Sequence, residues 1–147
     1  MRITNKEYGE LAKKHSPNTK KAFTLTKAFL IGGAICTIGQ GFFNLYTYLG
    51  MSQATSSALT SMTLIFIAAV LTGLKLYDKL AKHGGAGTLV PITGFANAVV
   101  APALEFKTEG YILGVGAKMF TIAGPVIVYG IAASALYGIL LYVLGGR

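Results

Sequence analysis

Charge is what this sequence has least of. Only 12% of its 147 residues are Asp, Glu, Lys or Arg, about half of the ~25% usual in a soluble domain. None occurs from Ala28 to Leu74, far beyond the ~20 apolar residues that one bilayer crossing needs. These runs exclude a soluble globular protein and predict an integral membrane protein. By length it makes one domain. Cysteine is nearly absent: Cys36 stands alone in an apolar run, forms no internal disulfide and says nothing of redox compartment. His15 and His83 are isolated, with no second histidine or cysteine at ligand spacing, so no metal site is indicated. Enzymatic signatures are missing too. Gly114-Val-Gly-Ala-Lys118-Met lacks the Gly-Lys-Ser/Thr of a phosphate loop. His83-Gly-Gly-Ala has no Gly-x-Ser-x-Gly nucleophile turn to serve. The residues argue for neither catalysis nor a cofactor.

What charge there is leans positive and is unevenly placed. The net charge is +8, and seven of the 13 Lys and Arg fall within Met1–Lys27. No aromatic residues alternate with them in a binding pattern, so nucleic acid is not the expected partner. Basic residues flanking a span instead set topology and contact anionic lipid headgroups. Residues 1–21 read as a basic cytoplasmic tail, with a short helix over Asn5–Lys14 ended by Ser16-Pro17-Asn18. Residues 22–147 read as one transmembrane domain. The first apolar run is too long for a signal-peptide core and lacks an Ala-x-Ala cleavage site, so it reads as a retained span.

The apolar runs predict an all-α, polytopic fold. Ala22–Leu49 is a first span and Ser57–Leu76 a second, joined by the uncharged turn Gly50–Ser56. Lys75–His83 carries three lysines where that first turn has none, which puts both basic flanks in the cytoplasm. On the first span Thr37, Gln40, Asn44 and Thr47 share one helical face. Gly32, Gly33, Cys36 and Gly39 form a small-residue surface suited to helix packing in lipid. Gln40 and Asn44 are read as interhelical hydrogen-bond glue or as pore lining.

Gly84–Leu104 is the most informative stretch. It carries no charge, so a bilayer would accept its side chains, yet it holds four glycines, two prolines, two threonines and Asn97. Irregular backbone at membrane depth must be buried in protein or line a watery cavity. Interrupted helices of this kind build transport sites. A glycine-rich loop on one membrane surface is the plainer alternative. The stretch predicts a Gly/Pro-rich re-entrant segment, with Gly85 and Gly87 in the break. Pro91 would open a new helix that runs to about Lys107 and bends near Pro102. Glu105 and Glu109 would stand one helical turn apart, to steer a cation, to pair with Lys118, or simply to be solvated. Gly110–Leu144 would divide at Thr121–Pro125 into a short half-helix, Tyr111–Phe120, and a final span, Val126–Leu144. Lys118 would attract anions if it lined a pore, or snorkel to the headgroups from a short element. The two glycine–proline interruptions would meet near mid-membrane and flank a permeation route. On the residues alone two function classes stay open. One is a channel subunit. The other is a non-conducting scaffold that anchors a soluble partner through its compact charged loops.

Several motifs resemble a known family. Gly85-Ala-Gly87, Val90-Pro91-Ile-Thr-Gly-Phe-Ala-Asn97, Leu104-Glu-Phe-Lys107-Thr-Glu-Gly110 and Leu113-Gly-Val115, with Ile38-Gly-Gln40 and Tyr77-Asp78, look like the stage V sporulation protein AC/AE family. The resemblance runs from about Lys27 to Leu144. It implies a small protein of the cell membrane and spore inner membrane of endospore-forming bacteria. The implied activity is that of a tension-responsive channel component, which moves dipicolinic acid as its calcium chelate into the developing spore and out at germination. The implied partners are an AE-type membrane subunit and a soluble AD-type subunit.

Overall fold

A computed structural model of the chain describes residues 4–15 and 21–145, and among them there is no strand. The all-α, polytopic architecture is therefore as expected. Helix α1, Asn5–His15, opens with a reciprocal cap. The Thr4 hydroxyl accepts from the Glu7 backbone N–H at 3.4 Å, and the Glu7 carboxylate accepts from the Thr4 N–H at 2.9 Å. This is a capping box, and the Thr4 N–H, together with the Thr4 hydroxyl, which donates to the same carboxylate oxygen at 2.9 Å, holds the Glu7 carboxyl below its usual range. The stop expected at Ser16-Pro17-Asn18 lies outside the described residues.

Helices α2, Lys21–Tyr48, and α3, Gln53–Gly73, form an antiparallel hairpin. Both are long and apolar enough to cross a bilayer. The turn between them is shorter than expected, because Ser52 caps α3 by accepting from the Thr55 N–H at 3.3 Å. Away from their basic ends, the two helices are joined by hydroxyls: Tyr46 to Thr63 at 2.7 Å, and Thr47 to the fully buried Ser56 at 3.3 Å. Hydrogen bonds are a natural glue here, since lipid offers apolar surface no reason to associate.

Both ends of this hairpin use the same device. After α2, Gly50 takes φ +84° and the Met51 N–H returns to the Tyr46 carbonyl. After α3, Lys75 takes φ +57° and the Leu76 N–H returns to the Leu71 carbonyl. These are Schellman caps, in which glycine normally fills the left-handed position. Lysine there costs about 1 kcal/mol.

The chain then runs through α4, Tyr77–Gly84, the single turn α5, Ala86–Leu89, and α6, Ile92–Glu105. Pro91 sits one residue before α6, at its N-cap, and α6 ends two residues short of Lys107. Fourteen residues make about 21 Å of helix, less than the ~30 Å hydrocarbon core, so α6 is not a span. Its direction follows from its partners. Thr93 shares an apolar cavity of about 130 Å³ with Ala68 and Leu71, Asn97 meets Thr72, and Leu104 lies by Gly73 and Lys75. The partners advance together, so α6 runs alongside α3 toward the basic end. Helices α4 and α5 carry the chain in against α2, and α6 brings it back out. This is the re-entrant segment.

A 3-10 turn, Lys107–Glu109, and a π turn, Tyr111–Gly116, lead into α7, Ala117–Val143. Here the expected division fails. Thr121–Pro125 does not end a half-helix; α7 continues through it with Pro125 inside. Proline removes a single N–H and leaves the Thr121 carbonyl without its usual donor. A long apolar helix tolerates that loss in a membrane. The short element is instead the π turn. Residues Tyr111–Val143 form the third candidate span, and in its most apolar window no residue is buried.

Candidate functional site

Tyr77 organises the re-entrant segment. It opens α4 and is only 3% exposed, packed with Ala68, Ala96 and Leu71. Its hydroxyl reaches the Thr88 carbonyl at 2.8 Å and the Thr93 hydroxyl at 3.1 Å. One side chain thus ties α4 to the end of α5 and the start of α6, where backbone groups lack helical partners. Thr88 and Thr93 are themselves buried. In the sequence Tyr77 stands out only as part of the Tyr77-Asp78 motif. A tyrosine inside the charged run Lys75–His83 was the available signal, since a ring that does not anchor at the surface must pack inward.

Of the expected site residues, Gly85, Gly87 and Pro91 gather in this break. Gly85 takes φ +48°, a conformation that needs glycine, and the space around it is open. Gly87 is required for a different reason. A Cβ there would run into the backbone carbonyl of Ala28, and Gly32 faces Gly87 from the same side of α2. Part of the small-residue surface is therefore used: Gly32 meets α5 and Gly39 meets Leu64 of α3. Gly33 and Cys36 point away and are exposed.

Asn97 lies one turn into α6, where its Oδ1 is 2.9 Å from the Thr72 hydroxyl. That hydroxyl also donates to the Ala68 carbonyl at 2.7 Å. A hydroxyl has one proton; with the Asn97 amide turned end for end, its NH₂ donates and both contacts are satisfied. Gln40 and Asn44 bond each other at 2.9 Å on an exposed face of α2. They bridge no helices within this chain.

The charged residues also part company with expectation. Glu105 and Glu109 do not share a helix, because α6 ends at Glu105 and Glu109 belongs to the 3-10 turn. Neither pairs with Lys118. The Lys118 ammonium lies 4.7 Å over the ring of Phe106, the residue that caps α6. Lys118 is the second residue of α7 and is exposed, beside the charged turn at the end of α6.

The two interruptions do not meet. Gly84–Pro91 packs on α2, whereas the π turn packs on the 3-10 turn, α7 and the end of α6. The length of α6 separates them. Among the described residues no group of His, Cys, Asp and Glu could hold a metal ion. What the fold does assemble at its basic end is a cavity of about 600 Å³ between α3, α4 and α6. It is lined by Thr72, Gly73, Lys75, Asp78, Ala101, Leu104, Glu105 and Lys107. The arrangement sets exposed charged side chains around the buried Thr72, whose hydroxyl meets Asn97.

Comparison with known proteins gives consistent matches. Residues 24–140 match the family described as SpoVAC/SpoVAEB sporulation membrane protein. The stage V sporulation protein AC of Bacillus subtilis (strain 168) is 42% identical over 143 residues, covering 97% of this chain and 95% of that protein. No solved structure matches.

Proposed function

The chain belongs to the SpoVAC/SpoVAEB sporulation membrane protein family, and we propose that it is a channel subunit for dipicolinic acid. The permeant is the calcium chelate, moved into the developing spore and out during germination, with membrane tension as the gating stimulus. The spore inner membrane is the proposed location, and an AE-type membrane subunit and a soluble AD-type subunit are the proposed partners. The observation that carries this reading is the re-entrant segment. After the charged helix α4, the uncharged stretch Gly84–Leu104 brings broken backbone in against α2, and α6 returns it to the same end. Such backbone is accepted at membrane depth when it faces protein or a watery path, and transport proteins use it that way.

A single copy does not enclose a path. Three candidate spans are too few, and the third has no buried residue in its most apolar window, so the part of α7 that α6 does not cover faces lipid or a second subunit. The conducting unit in this reading is an assembly, in which the re-entrant segment lies on the inner side and α7 outside or between subunits. By the positive-inside rule the basic end faces the cytoplasm.

Dipicolinate flux through proteoliposomes tests the proposal, with this chain alone and with both partners, under osmotic downshift and without it. Tension-dependent flux that requires this chain is expected. A fully assembled complex that passes no dipicolinate at any tension would leave the non-conducting scaffold, for which the charged turns at the basic end are the natural anchor.

A further inference from the structure

We propose that the apolar cavity behind Tyr77 binds an acyl chain of a bilayer phospholipid, whose methylenes brace the re-entrant break. The inference goes beyond the channel reading and holds whether or not the assembly conducts. The cavity lies between α2, α3, α4 and the start of α6, with a volume of about 130 Å³ and a wall that is apolar throughout. Its floor is buried: Ala68 is 1% and Tyr77 3% exposed. Its rim is not, since Ile38 of α2 and Leu80 of α4 are both exposed. The cavity therefore opens on the outside of the helix group, and its guest is decided by what surrounds the chain at that depth. Ile35 and Ile38 lie seven and ten residues beyond Ala28, where the charge-free run begins, which is about 10–15 Å along the helix. Half of a ~30 Å hydrocarbon core is about 15 Å, so the rim meets the acyl chains of the leaflet at the basic end.

The wall selects against polar guests. A buried water needs roughly two to four polar partners. The hydroxyls of Tyr77 and Thr93 are already bonded to each other at 3.1 Å, and that of Tyr77 to the Thr88 carbonyl at 2.8 Å. An apolar cavity of this kind stays dry and takes apolar guests; this one has room for about four water-sized groups, which suits a short run of methylenes. The lipid's phosphate is provided for as well. Lys79 and Lys82, beside Leu80 on α4, are exposed, and basic side chains at a membrane surface attract anionic headgroups. Tyr77 and Thr93 serve twice, as wall of the cavity and as the pin that holds α4, α5 and α6 together. A chain in the cavity completes the packing around that pin, whereas a void leaves those side chains without contacts on one side.

The test uses the full chain in nanodiscs, alone and in the assembled complex, with phosphatidylglycerol that carries a photoreactive diazirine midway along one acyl chain. Cross-links to Ala68 and Tyr77 are expected, besides unspecific ones along exposed α7. Ile35→Phe and Leu71→Phe each fill the cavity from a different wall. Both should lower labelling of the floor roughly tenfold, because a close-packed interior has no room for a further group, with labelling of α7 unchanged. Hydrogen exchange over residues 86–94 reads the brace. In the wild type it should be faster in diphytanoyl lipid, whose methyl branches make the chain too wide for the cavity, than in straight-chain lipid. In the two filled variants the choice of lipid should make no difference. An unlabelled floor in the wild type would overturn the proposal, and so would floor labelling that both phenylalanines leave intact. Labelling of the chain alone that vanishes in the complex would give the cavity to a partner's side chain and overturn it too. Wild-type exchange that ignores the shape of the lipid would overturn the brace and the proposal with it.

Discussion

The chain contains two interruptions that look alike as sequence and differ as structure. Each has glycines, a short element and a proline: Gly84 to Pro91, and Gly114 to Pro125. In the first, the required glycine contact joins distant parts of the chain, since Gly87 lies on the backbone of Ala28 in α2. In the second, the contact is local. A Cβ on Gly114 would lie 2.6 Å from the Phe106 carbonyl and 2.8 Å from the Glu109 Cβ, which closely precede it in the chain. The prolines differ as well. Pro91 caps α6 from outside, while Pro125 lies within α7. The first break is held by a helix distant in sequence; the second packs on its chain neighbours and feeds a helix that packs on α6 but has no buried residue in its most apolar window. Composition marks where backbone departs from a helix, but not what the departure rests on.

The largest effect expected from this contrast is at Gly87. Gly87→Ala must push the Ala28 carbonyl away and lift α5 off α2, which should destabilise by roughly 3 kcal/mol or more, the upper range for overpacking. Gly114→Ala disturbs only its own turn and should lose about half as much. Gly124→Ala, whose nearest neighbour is the Phe120 Cβ at 3.9 Å, should gain up to ~1 kcal/mol from helix propensity. Unfolding of the three purified variants in detergent ranks them. Equal losses at Gly87 and Gly114 would break the comparison.

Tyr77→Phe sharpens it next. The ring still fills its place, but the Thr88 carbonyl and the Thr93 hydroxyl lose a buried partner, at about 1–3 kcal/mol. Hydrogen exchange should speed up over residues 86–94 and stay unchanged over residues 111–116. Faster exchange in both breaks would mean that they are coupled after all.

The prolines give a smaller effect of opposite sign. Pro125→Ala restores a helix bond and should raise stability by about 1 kcal/mol, a fraction of the ~3 kcal/mol that an interior proline costs in a soluble helix. Pro91→Ala removes a residue whose fixed φ suits its place and gains no helix bond, so it should be neutral or mildly harmful. Thermal denaturation of both variants in one detergent shows whether the signs differ.

The smallest effect is outside the membrane. The folded-state pKa of Glu7 is depressed by its Thr4 donors, so its capping contribution is present above the unfolded value and lost as pH falls through the folded one. Helix α1 should fray only in acid, and Glu7→Ala should fray it at neutral pH too. The Thr4 amide signal by NMR reports both. An α1 that stays capped in acid would show that the carboxylate is not what holds its first turn.

Much of the architecture was legible because its causes are local or set by solvent. The charge-free run from Ala28 to Leu74 required membrane helices, and the glycine and proline content of Gly84–Leu104 required a broken one. The capping box at Thr4–Glu7 was equally local and could have been read. The site was less legible. Asn97 stands out as polar amid apolar neighbours, yet its partner, Thr72, comes from α3; Glu105 belongs to a charged cluster, yet Lys75 and Asp78, which line the same cavity, come from the far wall. That Lys118 lies over Phe106, at the end of α6, follows only from how α6 and α7 pack.

By itself, the sequence determined that the chain is helical, that it lives in a bilayer and where its backbone breaks, because periodicity, hydropathy and glycine act over a few residues. Only the tertiary structure decided that α6 returns to the basic end without crossing, that Pro125 breaks nothing, and that four scattered charges line one cavity. Those outcomes depend on which surfaces meet. Gly87 against Ala28 and Tyr77 against Thr88 and Thr93 are contacts between residues far enough apart that no local rule links them.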